Sequence, residues 1–118
     1  MVPPDCLFCK IVAGEVPSDE VASTEGTYAF RDIQPVAPTH VLVVPRRHID
    51  HAGTLGSDPA DAATLAEMFA AASEVARNEG VDATGYRLVF NVGEDAQNSV
   101  GHLHLHVLGG RRLDWPPG

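Results

Sequence analysis

The chain has 118 residues, 44% of them apolar, and this composition predicts one domain, residues 1–118, with a single hydrophobic core. Sixteen acidic and eight basic residues give a net charge of −8, which argues against general attraction to nucleic acid or to an anionic membrane. The longest apolar run extends only from Val41 to Pro45. We therefore expect a cytoplasmic protein without nucleic-acid or membrane partners.

The first half of the chain predicts one short helix and three strands. Residues 7–14 predict a short helix that ends at a glycine and carries both Cys6 and Cys9 near its start. Residues 21–24 and 28–32 are strand-like and are separated by a short turn, which predicts a hairpin. Residues 39–45 are almost continuously apolar and β-branched, a pattern typical of a central strand covered on both faces.

The second half predicts a long helix followed by two strands. Ser57-Asp58-Pro59 supplies a capping side chain and a first-turn proline, and Gly80 supplies the end of the helix. The apolar stripe expected to face the core consists of Leu65, Met68, Phe69, Ala72, Val75 and Ala76. Residues 86–92 predict a strand that pairs with a strand beginning at His102. This order of elements predicts an α+β fold, with the long helix packed on an antiparallel sheet of about five strands.

Three histidines alternate with apolar residues in His102-Leu103-His104-Leu105-His106-Val107. Alternation with period two predicts a strand that places all three imidazoles on one face, about 6.6 Å apart along the chain. The Gly109-Gly110 pair that follows predicts a sharp turn or a close approach of the backbone. Such a row suits two chemistries, a three-histidine metal site with an open position or a metal-free site with a nucleophilic imidazole.

The loop before the histidines, residues 91–101, favours a phosphorus centre. It offers glycines, side-chain amides and a hydroxyl, which are donors suited to phosphate oxygens. The chain contains neither a P-loop nor a glycine-rich dinucleotide fingerprint, so any nucleotide must be held in another way.

The histidine run resembles the His-x-His-x-His signature of the histidine triad superfamily, and the resemblance covers essentially the whole chain. The Hint branch of that family is similar in residues 30–35, in residues 38–45 with His48 following, and in residues 109–118. The resemblance implies an α+β fold and a homodimer that joins two sheets. It also implies hydrolysis of purine nucleoside phosphoramidates to the nucleoside monophosphate, AMP or GMP.

By this resemblance the middle residue, His104, is the nucleophile that attacks the α-phosphorus and forms a nucleotidyl-imidazole, which water resolves. Imidazole suits this role near pH 7 when its other nitrogen donates to a carbonyl that fixes the tautomer. His106 is the expected proton donor to the leaving nitrogen, because an amine must leave protonated. His102 and His40 have supporting roles, and catalysis requires no cofactor.

The same resemblance assigns residues to the nucleotide. Asp32 would bind the ribose hydroxyls, and Phe30 and Ile33 would line the base pocket. Phosphate oxygens would be held within the loop by Asn91, Asn98, Ser99 and Val100. Trp115, near the end of the chain, would reach the active site across the dimer and shape selection of the leaving group.

The loop departs from the Gly-Gly-Gln-Ser-Val-Tyr pattern of the branch, because this chain has Ala96-Gln97-Asn98-Ser99-Val100-Gly101. Gln97 replaces a glycine whose small size allows close approach, and Asn98 is one methylene shorter than the usual glutamine. Gly101 removes an aromatic side chain just before the histidines. These changes affect the expected phosphate contacts and leave the nucleophile in place.

The Cys6-x-x-Cys9 pair has two interpretations. Two cysteines are too few for a disulfide scaffold, and their spacing points to metal or redox use. The resemblance implies a structural zinc ion held by Cys6, Cys9, His48 and His102, a closed tetrahedral set that would support the fold. The competing interpretation is a free dithiol on the first helix. His51 is a candidate substitute ligand, three residues from His48.

Other functions would use parts of the same site. Cleavage of dinucleoside polyphosphates, or nucleotidyl transfer, would use the same nucleophile with a different leaving group. A nucleotide-binding regulatory protein would bind tightly and hydrolyse only incidentally. A metal hydrolase would use the three histidines directly, although no glutamate follows them to complete a mixed histidine and carboxylate set.

Overall fold

The computed structural model describes residues 3–118. Its elements are α1 (Leu7–Val12), β1 (Glu20–Ser23), β2 (Thr27–Arg31), β3 (Thr39–Pro45), a single 3-10 turn (Ala52–Thr54), α2 (Pro59–Glu79), β4 (Tyr86–Val89) and β5 (Leu105–Gly109). The five strands form one antiparallel sheet in the order β1-β2-β3-β5-β4. This arrangement confirms the predicted α+β fold, with one long and one short helix.

Strand β3 is the centre of the sheet and is buried along its whole length, as its composition predicts. Side chains alternate across a strand, so β3 supplies both faces of the molecule with core residues. Val41 and Val43 pack with α2 on one face. Leu42 and Val44 pack with Phe8 of α1 on the other face.

Helix α2 begins after Asp58 and ends at Gly80, whose φ of 76° lies in the left-handed region that glycine adopts without strain. Two expectations are wrong here. The side chain of Asp58 forms no capping hydrogen bond, although Asp58 occupies the capping position. Phe69 is 40% exposed and packs edge to face with Phe90, because it lies one position beyond the buried face that Met68 and Ala72 form.

The strand expected to begin at His102 begins at Leu105, so only His106 of the three histidines lies within β5. The alternation nevertheless continues through the extended segment before the strand. Leu103, Leu105 and Val107 are buried in the core beneath α2, whereas the imidazoles lie on the face of α1. The sheet ladder is therefore shorter than the pattern suggests, but the predicted separation of the two faces is correct.

The register of β3 and β5 places a fourth histidine, His40, beside the row of three. Leu42 of β3 lies opposite His106 of β5, so His40, two residues from Leu42, is the diagonal neighbour of His106 on the same face. At the end of β5 the glycine pair allows the close approach that was predicted. A Cβ added to Gly109 would lie 2.9 Å from Val81, and one added to Gly110 would lie 2.8 Å from Pro38.

Strand β4 is also shorter than predicted and ends at Val89 instead of residue 92. It pairs with β5 as expected and forms one edge of the sheet. Within the described residues, none of the helices has the length and apolar character needed to cross a bilayer.

Candidate active site and metal centre

A cavity of about 280 Å³ opens on the α1 face of the sheet, with His104 and His106 in its wall. Its apolar lining comes from Leu7, Phe8, Ile11, Pro17, Phe30, Ile33, Leu42 and Val100, and its polar lining from Ser18, Arg31, Asp32, Gln34, Ser99 and the two histidines. An apolar wall with a few convergent polar groups is the usual composition of a small-molecule site. A larger open depression of about 820 Å³ lies against α2, and its ionisable side chains are Glu25, Glu67 and Glu74, which repel a phosphate.

The backbone fixes the tautomer of His104. Its Nδ1 lies 2.7 Å from the carbonyl oxygen of His102, and a carbonyl can only accept, so Nδ1 carries the proton and donates it. The Nε2 atom of the neutral ring therefore keeps its lone pair. Phe8 packs edge to face on the ring, with centroids 5.1 Å apart, and holds it against the sheet. His104 thus has the protonation that a nucleophile needs.

A second chain of hydrogen bonds fixes the opposite tautomer at His106. The backbone N–H of Val36 donates to Nδ1 of His40 over 3.1 Å, so the proton of neutral His40 lies on Nε2. The Nε2–H of His40 has two acceptors, Nδ1 of His106 at 2.9 Å and Oδ2 of Asp32 at 3.3 Å, and the shorter contact makes His106 its main acceptor. The proton of His106 is then on its own Nε2, which is buried and has no hydrogen-bond partner within residues 3–118. A free N–H donor and a free imidazole lone pair therefore lie in one site.

Burial favours the neutral form of His106 and His40. The pKa of His106 is lowered to about 4, chiefly by burial and in part by the neighbouring His104 and His40 rings. Burial also lowers the pKa of His40, although the Asp32 carboxylate opposes this shift. Because neutral imidazole supplies both a lone pair and an N–H, low pKa values preserve the hydrogen-bond pattern at neutral pH.

Asp32, His40 and His106 also form a cluster whose ligand atoms lie within 4.8 Å of one another. A neutral imidazole that binds a metal ion through Nε2 must carry its proton on Nδ1. At His40 that nitrogen faces the N–H of Val36 and accepts from it, so the proton is on the wrong nitrogen for metal binding. The hydrogen bonds of this cluster favour a network of donors and acceptors and disfavour the metal-hydrolase alternative.

A different cluster has the features of a metal centre. The ligand atoms of Cys6, Cys9, His48 and His102 lie within 4.8 Å of one another, although the residues come from distant parts of the chain. Three of the sulfur to Nδ1 distances are 3.4 Å. A tetrahedral zinc ion would separate a sulfur and a nitrogen ligand by about 3.6 Å, so the four residues fit the ion in both chemistry and spacing.

The surroundings of the cluster orient its ligands. Nε2 of His102 donates to the carbonyl of Pro45 over 2.9 Å, and Nε2 of His48 donates to Asp50 over 2.8 Å. Both rings therefore direct an unprotonated Nδ1 toward the thiols, as metal-ligating histidines usually do. Cys6 caps the start of α1 by accepting from the N–H of Cys9, which holds the two thiols on the same side of the helix. The structure brings all four expected ligands together.

Burial and the neighbouring Cys6 raise the pKa of Cys9 to about 11. Without a cation, this thiol is protonated at neutral pH, so metal binding would release protons. His51 lies outside the cluster, where its Nδ1 accepts from the N–H of Gly53 at the 3-10 turn.

Only some of the other residues predicted to bind the nucleotide line the cavity. Phe30, Asp32, Ile33, Ser99 and Val100 line the cavity, and Ile33 is 94% exposed at its rim. Asn91 and Asn98 are partly buried and are not among the residues of the cavity wall described above. Trp115 is 80% exposed, with the guanidinium carbon of Arg87 5.9 Å from the centre of its ring.

The loop departure has a structural consequence at Gln97. Its φ is 59°, in the left-handed region, where a side chain costs about 1 kcal/mol or more relative to glycine. The N–H of Gln97 donates to Glu94, and the N–H of Asn98 donates to Gly93, which closes a compact turn before the histidines. The backbone of Gln97 therefore has a conformation that glycine adopts without strain.

Sequence reasoning missed Val36 and Arg111 as contributors to the site. Val36 acts through its main-chain N–H, and Arg111 contacts the carbonyl of Val36 with its guanidinium. A backbone group carries no side-chain signal, so the contribution of Val36 could not be found from its residue type. The contact between Arg111 and the carbonyl of Val36 joins residues that are far apart in the sequence, so it can be found only in the folded chain.

A family model described as the HIT domain matches residues 13–113, which include the histidine row and all five strands of the sheet. The chain belongs to the HIT domain family. A HIT-like protein of Azospirillum brasilense is 46% identical over 111 residues, which are 93% of this chain and 89% of that protein. A 14 kDa zinc-binding protein of Zea mays is 41% identical over 112 residues, which are 95% of this chain and 87% of that protein.

Solved structures agree with this assignment. A HIT family hydrolase from Legionella pneumophila is 46% identical, with a TM-score of 0.91 over 97% of this chain and all of that one. A histidine triad protein from Clostridium difficile is 38% identical, with a TM-score of 0.90 over 97% of both chains. The HIT domain described here therefore has the fold of family members that include a hydrolase.

Proposed function

We propose that this HIT domain hydrolyses the P–N bond of purine nucleoside 5′-phosphoramidates and releases AMP or GMP, as the resemblance to the Hint branch implies. The observation that supports this proposal is the pair of opposite tautomers in one cavity. Nε2 of His104 has a free lone pair, and Nε2 of His106 carries an N–H that is free to donate. A P–N bond needs both, because phosphorus must be attacked while nitrogen leaves as a neutral amine.

The reaction proceeds in two steps. Nε2 of His104 forms a bond to the α-phosphorus and the P–N bond breaks. The leaving nitrogen takes the Nε2 proton of His106 while Nδ1 of His106 takes the Nε2 proton of His40, which solvent replaces, so His106 stays a neutral imidazole. The resulting nucleotidyl-imidazole keeps its Nδ1–H on the carbonyl of His102, so the positive charge of the ring is stabilised by a fixed dipole. Water then attacks phosphorus, the bond to His104 breaks, and a proton returns to solvent. Acyl-adenylates would react in the same way, with a carboxylate as leaving group.

The cavity offers complementary groups for a nucleotide. Oδ1 of Asp32 accepts from the N–H of Gln34, so one carboxylate oxygen is oriented and retains a lone pair for a ribose hydroxyl. Phe30 and Ile33 provide apolar surface for a base, one from the core and one from the rim. Ser99 lines the same cavity as His104 and offers a hydroxyl for a phosphate oxygen.

Replacement of the nucleophile tests the mechanism. We expect His104→Ala to lower turnover of adenosine 5′-phosphoramidate by at least about 10³-fold, because no other group can form the covalent intermediate. AMP binding, measured by calorimetry, should persist. The matched control is His51→Ala, which removes a histidine outside the cavity and should leave turnover near that of the unmodified protein.

Retained turnover in His104→Ala would contradict the mechanism. Two other results would favour the alternatives. Faster cleavage of dinucleoside polyphosphates than of phosphoramidates would indicate the other leaving-group class. Tight AMP binding with turnover far below the common enzyme value of about 10 s⁻¹ would indicate a regulatory nucleotide-binding protein.

We also propose that Cys6, Cys9, His48 and His102 bind a structural zinc ion. The four ligand atoms converge, both histidines offer an unprotonated Nδ1, and the related maize protein is named for zinc binding. The ion would hold α1 against the segment that carries the histidines and would leave no open position for substrate. Reduced thiols of this kind suit the reducing cytoplasm expected from the sequence.

Metal analysis tests this site. Protein produced with zinc should contain one ion per chain, and Cys9→Ser should lose it because one thiolate ligand is removed. The unfolding temperature of Cys9→Ser should fall by about 10 °C, since each kcal/mol moves the midpoint of a domain of this size by about 4 °C. His51→Ala should retain its zinc. Full zinc content in Cys9→Ser would refute the ligand set.

We further propose that two copies pair through strand β4. This strand is a sheet edge, and an unpaired edge next to apolar surface is a common site of strand addition. Exposed apolar side chains lie along it at Tyr86 and beyond it at Val92, and Phe69 of α2 packs beside it on Phe90. The exposed Trp115 would then be free to reach the cavity of the partner.

Sedimentation tests whether two copies of the chain form the proposed dimer. The unmodified protein should sediment as a dimer, and Phe69→Asp should sediment as a monomer because it places a charge on the apolar surface beside β4. Ile33→Asp is the matched control, because it charges an exposed apolar residue at the cavity instead. A monomeric unmodified protein would exclude the dimer.

A further inference from the structure

The residue Val36 is held at both ends of its main chain. Its N–H donates to Nδ1 of His40 over 3.1 Å. Its carbonyl oxygen accepts two bonds from Arg111, 2.8 Å from Nη2 and 3.2 Å from Nε. Val36 is 58% exposed, so packing contributes little to its position. The two sets of hydrogen bonds are therefore the main restraints on this residue.

The guanidinium of Arg111 is itself oriented. Its third nitrogen, Nη1, donates to the carbonyl of Arg112 over 2.9 Å, which fixes the plane of the group. Gly110, with φ of 89°, lets the chain pass so close to Pro38 that any Cβ would lie 2.8 Å from the proline side chain. The glycine pair after β5 thereby brings Arg111 against the segment that contains Val36.

We propose that Arg111 is a positioning residue for catalysis, which sets the tautomer of His106 through Val36 and His40. This inference rests on the proposed function, in which His106 donates to the leaving nitrogen. Three consecutive hydrogen bonds connect these residues. Arg111 holds Val36, and the N–H of Val36 places the proton of His40 on Nε2. The Nε2–H of His40 then donates to Nδ1 of His106.

Arg111 binds the carbonyl of the peptide that follows Val36, whereas the peptide that precedes Val36 supplies the N–H to His40. With the following peptide fixed, the preceding peptide has less freedom to rotate. If the preceding peptide rotated, the Pro35 carbonyl would face Nδ1 of His40 and draw its proton there. Nε2 of His40 would become an acceptor, and His106 would donate from Nδ1 and present a lone pair to the cavity. The Asp32 carboxylate, 3.3 Å from Nε2 of His40, opposes this arrangement, so Arg111 and Asp32 both favour the N–H of His106.

Arginine suits this position because two N–H groups of its planar fork can converge on one carbonyl oxygen. An exposed hydrogen bond of this kind contributes little to the stability of the fold. Loss of Arg111 should therefore change the donor at the cavity without unfolding the domain. The neighbouring Arg112 is a matched control, since it has the same charge and is exposed, and its side chain makes no hydrogen bond within residues 3–118.

The experiment compares Arg111→Gln with Arg112→Gln on two substrates, adenosine 5′-phosphoramidate and an acyl-adenylate. A departing amine needs a proton, whereas a departing carboxylate does not. We expect Arg111→Gln to lower kcat for the phosphoramidate about tenfold, a partial loss of the 10²–10⁴-fold that general acids contribute, with little change in KM. Its kcat for the acyl-adenylate should change less than about twofold, as should both values for Arg112→Gln.

Imidazole ¹⁵N NMR reports the tautomer without reference to activity. The unmodified protein and Arg112→Gln should show the proton of His106 on Nε2, and Arg111→Gln should show a population with the proton on Nδ1. Arg111→Lys, which retains one donor, provides a second variant if the glutamine substitution impairs folding, and it should lie between the two.

Equal loss of kcat on both substrates, or an unchanged His106 tautomer in Arg111→Gln, would overturn the inference and indicate a purely structural role. If the unmodified protein hydrolyses neither substrate, the proposed function fails. The NMR comparison then decides the tautomer coupling by itself, so the two failures are distinguishable.

Discussion

The hydrogen bond from Nδ1 of His104 to the carbonyl of His102 is the interaction on which the proposed chemistry depends. It joins residues two apart on the same face of an extended segment, so the alternation of the sequence directly creates the geometry. The side chain of the same His102 lies in the cysteine cluster, with its Nε2 on the carbonyl of Pro45. One residue therefore connects the cysteine cluster with the backbone carbonyl that sets the tautomer of His104.

Chemically identical side chains acquire different roles because their backbone partners differ. A carbonyl next to Nδ1 leaves His104 with a lone pair on Nε2, and a carbonyl next to Nε2 leaves His102 with a lone pair on Nδ1. An N–H next to Nδ1 of His40 has the opposite effect, which the His40 ring passes on to His106. Peptide groups thus set most of these proton positions, and Asp50 at His48 and Asp32 at His40 reinforce them.

Much of this organisation could be predicted from the sequence. The buried character of β3, the glycine that ends α2 and the close approach at Gly110 follow from local patterns, and the structure confirms them. The cysteine cluster was predicted from the family resemblance, and its four ligands do converge. Phe69 was assigned to the core because helical spacing does not define the edge of a buried face to within one residue.

The tautomer network could not be predicted, because it depends on main-chain groups and on cross-strand register. Val36 and Arg111 are far apart in sequence, and neither residue type suggests a role at a phosphorus centre. Likewise, the left-handed φ of Gln97 is a property of the folded loop, since a glutamine by itself predicts no such conformation. Local patterns define the elements, whereas proton positions at the site require their three-dimensional arrangement.

Imidazole ¹⁵N NMR of the zinc-loaded protein, recorded from about pH 8 to about pH 5, tests the central claim that backbone groups set the proton positions. We predict a proton on Nδ1 of His104 and on Nε2 of His106. His106 should remain neutral across this range, because burial and the adjacent imidazoles lower its pKa to about 4. A proton on Nε2 of His104, or titration of His106 near its ordinary value of 6.5, would show that backbone groups do not set these proton positions.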